Sequence, residues 1–137
     1  MTHVMMLYYA TLPDLVLILL SFFGFTLSLH RSISHLFFLF HVNVLNWICG
    51  YHWSLSFQSV QSQTKISTTI ISLLSIWAMF AYLDGEINLA KGFLSALYVF
   101  QLYCDFQSDI TYQIQPTVKI ARITMTVVFI YSIMRML

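Results

Sequence analysis

Charged residues are so sparse in this chain that they leave five apolar runs, each long enough to cross a bilayer. Six Lys or Arg and five Asp or Glu are spread over 137 residues, so 8% of the chain is charged and 59% is hydrophobic, with a mean hydropathy of +0.80. A soluble domain carries about 25% charged residues. A helix needs roughly 20 mostly apolar residues to span the hydrocarbon core, so five spans use most of the chain and leave no room for a soluble domain. The expectation is an all-α integral membrane bundle forming one transmembrane domain over residues 1–137, with spans at about 12–30, 34–52, 66–83, 87–105 and 117–137. The formal net charge of +1 offers no basic patch of the kind a nucleic-acid partner requires.

Several local signals place these spans. Thr11-Leu12-Pro13-Asp14 offers a capping hydroxyl, an early proline and a first-turn acid, so Asp14 reads as a helix-start residue rather than a proton carrier. Asp14, Ser21, Gly24 and Ser28 share a face of the first span. Thr68, Ser72 and Ser75 do so on the third. Small seams of this kind let helices approach closely and hydrogen-bond across the contact. Ser54 to Lys65 is Ser/Gln-rich and reads as the longest exposed connection, while Asp84-Gly85-Glu86 reads as a tight turn. Pro116 stands where the last helix would begin. Lys and Arg near the span ends divide evenly, with Arg31, Lys91 and Arg135 on one side and Lys65, Lys119 and Arg122 on the other, so orientation is left open.

The fourth span carries a polar stripe. At 100° per residue, Asp84, Asn88, Lys91, Ser95, Tyr98 and Asp105 gather on one side, together with Asp109, and Gln101 lies beside them; Leu89, Phe93, Leu94, Ala96, Leu97 and Phe100 read as the opposite face. Ionisable groups within a span are costly and should face protein or water, which makes this stripe the expected interface or pore lining. Lys91 either snorkels to the interface or pairs with Asp84 or Glu86. On the last span Lys119, Arg122 and Thr126 share a face near a helix N-terminus, where positive charge opposes the dipole. Lys119 and Arg122 are therefore expected to contact an acidic subunit, lipid headgroups, or Asp105 and Asp109.

All five histidines fall within residues 1–52. His30 and His35 in H-R-S-I-S-H form a pattern that resembles the first histidine box of the membrane fatty-acid desaturases. That resemblance implies a two-metal centre completed by H-x-x-H-H boxes, and no histidine after His52 is present to supply them. A bis-histidine haem needs ligands on facing helices; only His30 with a second-span histidine is available, at the membrane edge. No cofactor or metal is expected, and the histidines read chiefly as neutral interhelical hydrogen-bonding groups. Cys49 and Cys104 read as buried thiols. No nucleophile elbow, phosphate loop or H-E-x-x-H motif occurs, so no enzyme is expected.

The expected function is a non-catalytic accessory subunit of a larger membrane complex, with other membrane protein subunits and lipids as partners. One alternative is a homo-oligomeric pore, holin-like or ion-conducting, lined by the fourth span. Another is a membrane immunity or exclusion protein. The default location is a bacterial inner membrane, with a mitochondrial or viral membrane allowed by the same composition.

Overall fold

The computed structural model describes residues 3–25, 27, 30–56, 62–107 and 116–137. These form five helices, α1 (His3–Ser21), α2 (Arg31–Ser56), α3 (Ser62–Leu83), α4 (Ile87–Gln107) and α5 (Pro116–Met136). The chain is an all-helical integral membrane bundle. α1, α2, α3 and α5 contain apolar windows long enough to cross a membrane, at Val4–Ser21, Arg31–Tyr51, Ile66–Leu83 and Thr117–Met136. α4 is about 31 Å long at 1.5 Å per residue, but its polar stripe lowers its apolarity below theirs. It stands beside α3 and α5, connected to α3 by a three-residue turn.

Each boundary has a local cause. α1 begins nine residues earlier than the expected start at 12, because Val4 to Ala10 is itself apolar and Pro13 is carried inside the helix. Proline removes one backbone donor; neighbouring hydroxyls and helices make that tolerable in a membrane, and the Thr11 hydroxyl donates to Tyr8 O at 2.6 Å. α1 also ends earlier, at Ser21, because Gly24 takes φ 90°. There the amide of Gly24 bonds Ser21 O and that of Phe25 bonds Leu20 O, each at 3.2 Å, the paired bonds of a left-handed glycine cap. Gly24 is therefore a helix stop rather than part of a packing seam, and Ser28 lies outside the described residues.

The same cap ends α3. Gly85 has φ 89°, its amide bonds Tyr82 O at 3.1 Å, and the Glu86 amide bonds Ala81 O at 3.0 Å. The Asp84–Glu86 segment is the turn its composition predicts. In contrast, the two ends of the Ser54–Lys65 stretch expected as a loop are helical, since α2 runs to Ser56 and α3 starts at Ser62; residues 57–61 lie outside the described residues.

α1 and α5 run parallel, since Arg135 Nε near the end of α5 donates to Ser21 Oγ at the end of α1, at 3.0 Å. Going round the bundle, α1 packs on α5, α5 on α4, α4 on α3 and α3 on α2, with α2 also touching α4. Leu7, Phe38, Leu45, Ile48, Ile71, Leu94, Met125 and Phe129 are fully buried between them. The perimeter is apolar and open, with Trp77 73% exposed and Leu19, Leu73, Leu89 and Val127 also outward. Water would penalise such a surface, whereas lipid accepts it.

A buried Asp14–His41 pair and an outward polar groove

The most polar contact in the bundle lies near its middle. His41 of α2 and Asp14 of α1 are both fully buried, and His41 Nε2 sits 2.7 Å from Asp14 Oδ2. His41 Nδ1 lies 2.7 Å from Phe37 O in its own helix. A carbonyl only accepts, so Nδ1 carries a hydrogen. Two lone pairs cannot face each other at 2.7 Å, so a further proton lies between Nε2 and Oδ2. The pair thus exists as imidazolium with carboxylate, or as neutral imidazole with carboxylic acid, with the same number of protons. Tyr98 of α4 donates its hydroxyl to the backbone carbonyl of His41. The imidazole is surrounded by Phe37, Phe40 and Phe129 at centroid distances of 4.3, 5.2 and 4.7 Å, and Phe129 also meets Tyr98.

Four helices therefore converge on one pair. The reading of Asp14 as a helix-start residue is overturned. It sits eleven residues into α1 and turns inward, because the helix extends through Pro13. Asp14 and His41 are 27 residues apart, and only the folded bundle brings them together. The expectation of interhelical hydrogen bonding by a histidine is met at His41. His35, by contrast, bonds Arg31 O within its own helix at 2.6 Å and meets Tyr82 edge-on.

The α4 stripe is split by depth. Ser95, Tyr98 and Gln101 are buried, Lys91 is half-buried, and Asn88 and Asp84 are exposed. The Asp105 side chain and Asp109 lie outside the described residues. Leu94 and Leu97, expected on the outward face, are buried as well, because α4 has neighbours on two sides. Gln101 Oε1 lies 3.6 Å from Cys49 Sγ, which donates to it across the α2–α4 contact. Cys49 and Cys104 are free thiols, the first buried and the second half-buried. Among the described residues Lys91 forms no ion pair with Asp84 or Glu86.

On α5 the buried positions Ala121, Met125, Phe129, Ile133 and Met136 recur at helical spacing and fix its rotation. Arg122 and Thr126 adjoin that stripe and are carried inward, with Arg122 only 4% exposed and Thr126 buried. Arg122 is therefore not on the outward face expected for a subunit or headgroup contact. Lys119 is half-buried.

A second polar region faces outward. Asn46 of α2 accepts the hydroxyl of Ser72 of α3 on Oδ1, Ser75 Oγ lies 3.4 Å from the same oxygen, and Asn46 Nδ2 donates to Val42 O at 3.1 Å. Beside this knot an open groove of about 290 Å³ runs between α2 and α3, lined by Asn46, Cys49, Gly50, Thr68, Thr69, Ser72 and Leu73. Asn43, one turn from Asn46, is exposed, twelve residues into α2. Among the described residues its amide has no hydrogen-bond partner. Comparison with known proteins finds no family model, no curated protein and no solved structure that matches this chain.

Proposed function

We propose that this chain is a small, non-catalytic subunit of a larger membrane assembly, and that a partner's transmembrane helix seats against its α2–α3 face. The observation that carries the reading is Asn43, an amide exposed on an apolar span beside the groove lined by Gly50, Thr69 and Ser72. Lipid tails offer an amide no hydrogen bond, and an unsatisfied polar group in hydrocarbon costs several kcal/mol. A second helix satisfies it, and small residues let that helix approach closely. The bacterial inner membrane remains the proposed location.

The pore reading draws on the α4 stripe, and the burial of Ser95, Tyr98 and Gln101 within one chain weighs against it: those side chains would have to leave the core to line a channel between copies. The test is purification of a tagged chain from its native membrane into nanodiscs, with native mass spectrometry of what accompanies it. A stoichiometric set of other subunits, lost in Asn43→Leu while the variant stays folded, is the expected result. A pure homo-oligomer would overturn the subunit reading in favour of a self-assembled structure.

A further inference from the structure

The outward face of α2 is formed by Leu36, Leu39, Asn43, Trp47 and Gly50, all exposed. At 100° per residue they fall within an arc of about 80°. Leu36, Asn43 and Gly50 recur every seven residues with Leu39 between, the spacing of a left-handed two-helix seam, in which a single Asn on the contact line fixes register. We propose that the partner's helix presents a neutral carboxamide, Asn or Gln, to Asn43 in mid-membrane, and a large apolar side chain one to two turns away that drops into the groove beside Gly50. The inference rests on the subunit reading and adds to it the chemistry of the partner.

Depth decides what can reach Asn43. It lies within the apolar window Arg31–Tyr51, about 18 Å from its start and about 12 Å from its end at 1.5 Å per residue. Lipid headgroups stay outside the hydrocarbon core, and asparagine lacks the long stem with which Lys and Arg snorkel outward. A side chain from a neighbouring span is what satisfies it. An amide offers two donors and an acceptor oxygen, so a second carboxamide returns bonds in both directions, whereas a hydroxyl donates only one. The surroundings are neutral as well. Asn46, Thr68, Thr69 and Ser72 line the adjoining groove, and the α3 window Ile66–Leu83 holds no charged residue. An ionised partner side chain would lie in hydrocarbon without a counter-charge, which is costly.

The groove supplies the second element. Asn46, Cys49 and Gly50 line it, which places it about 5–10 Å beyond Asn43 toward the end of α2. A helix with its side chains is about 10–12 Å across, so an opening of about 290 Å³ receives a side chain rather than a helix. A Cβ at Gly50 would meet no atom within 4 Å, so the space beside it is open to a neighbour. The polar groups of the lining are already engaged: Ser72 donates to Asn46, Cys49 donates to Gln101, and Thr68 and Thr69 have polar contacts of their own. Apolar contact is therefore what the groove can still gain, and Leu73 on its α3 side supplies a surface for it. One to two turns correspond to four to seven residues, the separation expected between the partner's carboxamide and its apolar side chain.

The test replaces Leu39, one turn from Asn43 on the same face, with the photo-crosslinker p-benzoylphenylalanine in the full chain in its native membrane. After irradiation the crosslinked peptide is sequenced, and the yield is compared in Asn43→Leu, Asn43→Gln and Gly50→Leu, changes at exposed positions. The expected contact is a transmembrane segment of another protein with Asn or Gln within four residues of the crosslink, and Leu, Ile, Met or Phe four to seven positions from that carboxamide. Yield should fall about three- to tenfold in Asn43→Leu, the range of hydrogen-bond coupling between membrane helices, fall comparably in Gly50→Leu, and be kept in Asn43→Gln. A segment of another protein without a carboxamide there, or full yield in Gly50→Leu, overturns this inference and leaves the subunit reading standing. A yield unchanged in Asn43→Leu, or crosslinks only to a second copy of this chain or to lipid, overturns both. The sequence of the contact decides by itself even where a further variant fails to insert.

Discussion

Leucine at position 41 removes the partner of Asp14 Oδ2 and leaves a carboxyl group with both oxygens unsatisfied, since Oδ1 already has no partner among the described residues. Breaking one side of a buried ion pair costs about 3–5 kcal/mol. Asp14→Leu is milder: the imidazole can stay neutral with Nδ1–H on Phe37 O, so a single orphaned ring nitrogen costs about 1–3 kcal/mol. The double variant leaves no orphan and fills the site with apolar volume, which ranges from neutral to about 4 kcal/mol stabilising in comparable replacements. The two single substitutions should therefore be strongly non-additive, by several kcal/mol. Ordinary interhelical hydrogen bonds in a membrane couple by only about 0.6 kcal/mol. The assay is reversible unfolding of the purified chain in mixed detergent, followed by helix content and tryptophan fluorescence. A double variant destabilised by the sum of the singles, or a His41→Leu no worse than Asp14→Leu, would refute the reasoning.

Two further predictions use the same assay. Tyr98→Phe keeps the ring against Phe129 but loses the hydroxyl donated to the His41 carbonyl, and should cost about 1 kcal/mol. Gly85→Ala strains the φ 89° cap of α3, whereas Gly92→Ala, in the interior of α4 with open space around its Cβ, should stabilise by about 0.5–1 kcal/mol; the two glycines should thus move stability in opposite directions.

How far the chain can be read from its residues differs by feature. The turn at Asp84-Gly85-Glu86 was legible because a glycine cap is local chemistry, set by the one residue that accepts positive φ cheaply. Gly24 carries the same signal but lies within a long apolar run, and hydropathy averaged over a span conceals it. The α1 start was misplaced for a related reason: Thr-x-Pro-Asp is a helix-start pattern in water, yet in lipid an apolar segment ahead of it remains helical. The Thr68–Ser72–Ser75 seam was visible by periodicity, though its partner Asn46 could be found only from the α2–α3 contact.

Composition alone determined that this chain is a membrane-embedded helical bundle, because burying 59% hydrophobic residues among so few charges leaves no other solvent. It also placed the apolar windows of α2, α3 and α5, since span length is set by bilayer thickness. Which way each helix turns about its axis was decided by the tertiary structure. A rotation of one residue, about 100°, separates a lipid-facing side chain from a buried one, and helices with apolar residues all round carry almost no preference of their own. That choice is made by packing against neighbours, and it is what brings Asp14 and His41 together, carries Arg122 inward and leaves Asn43 facing out.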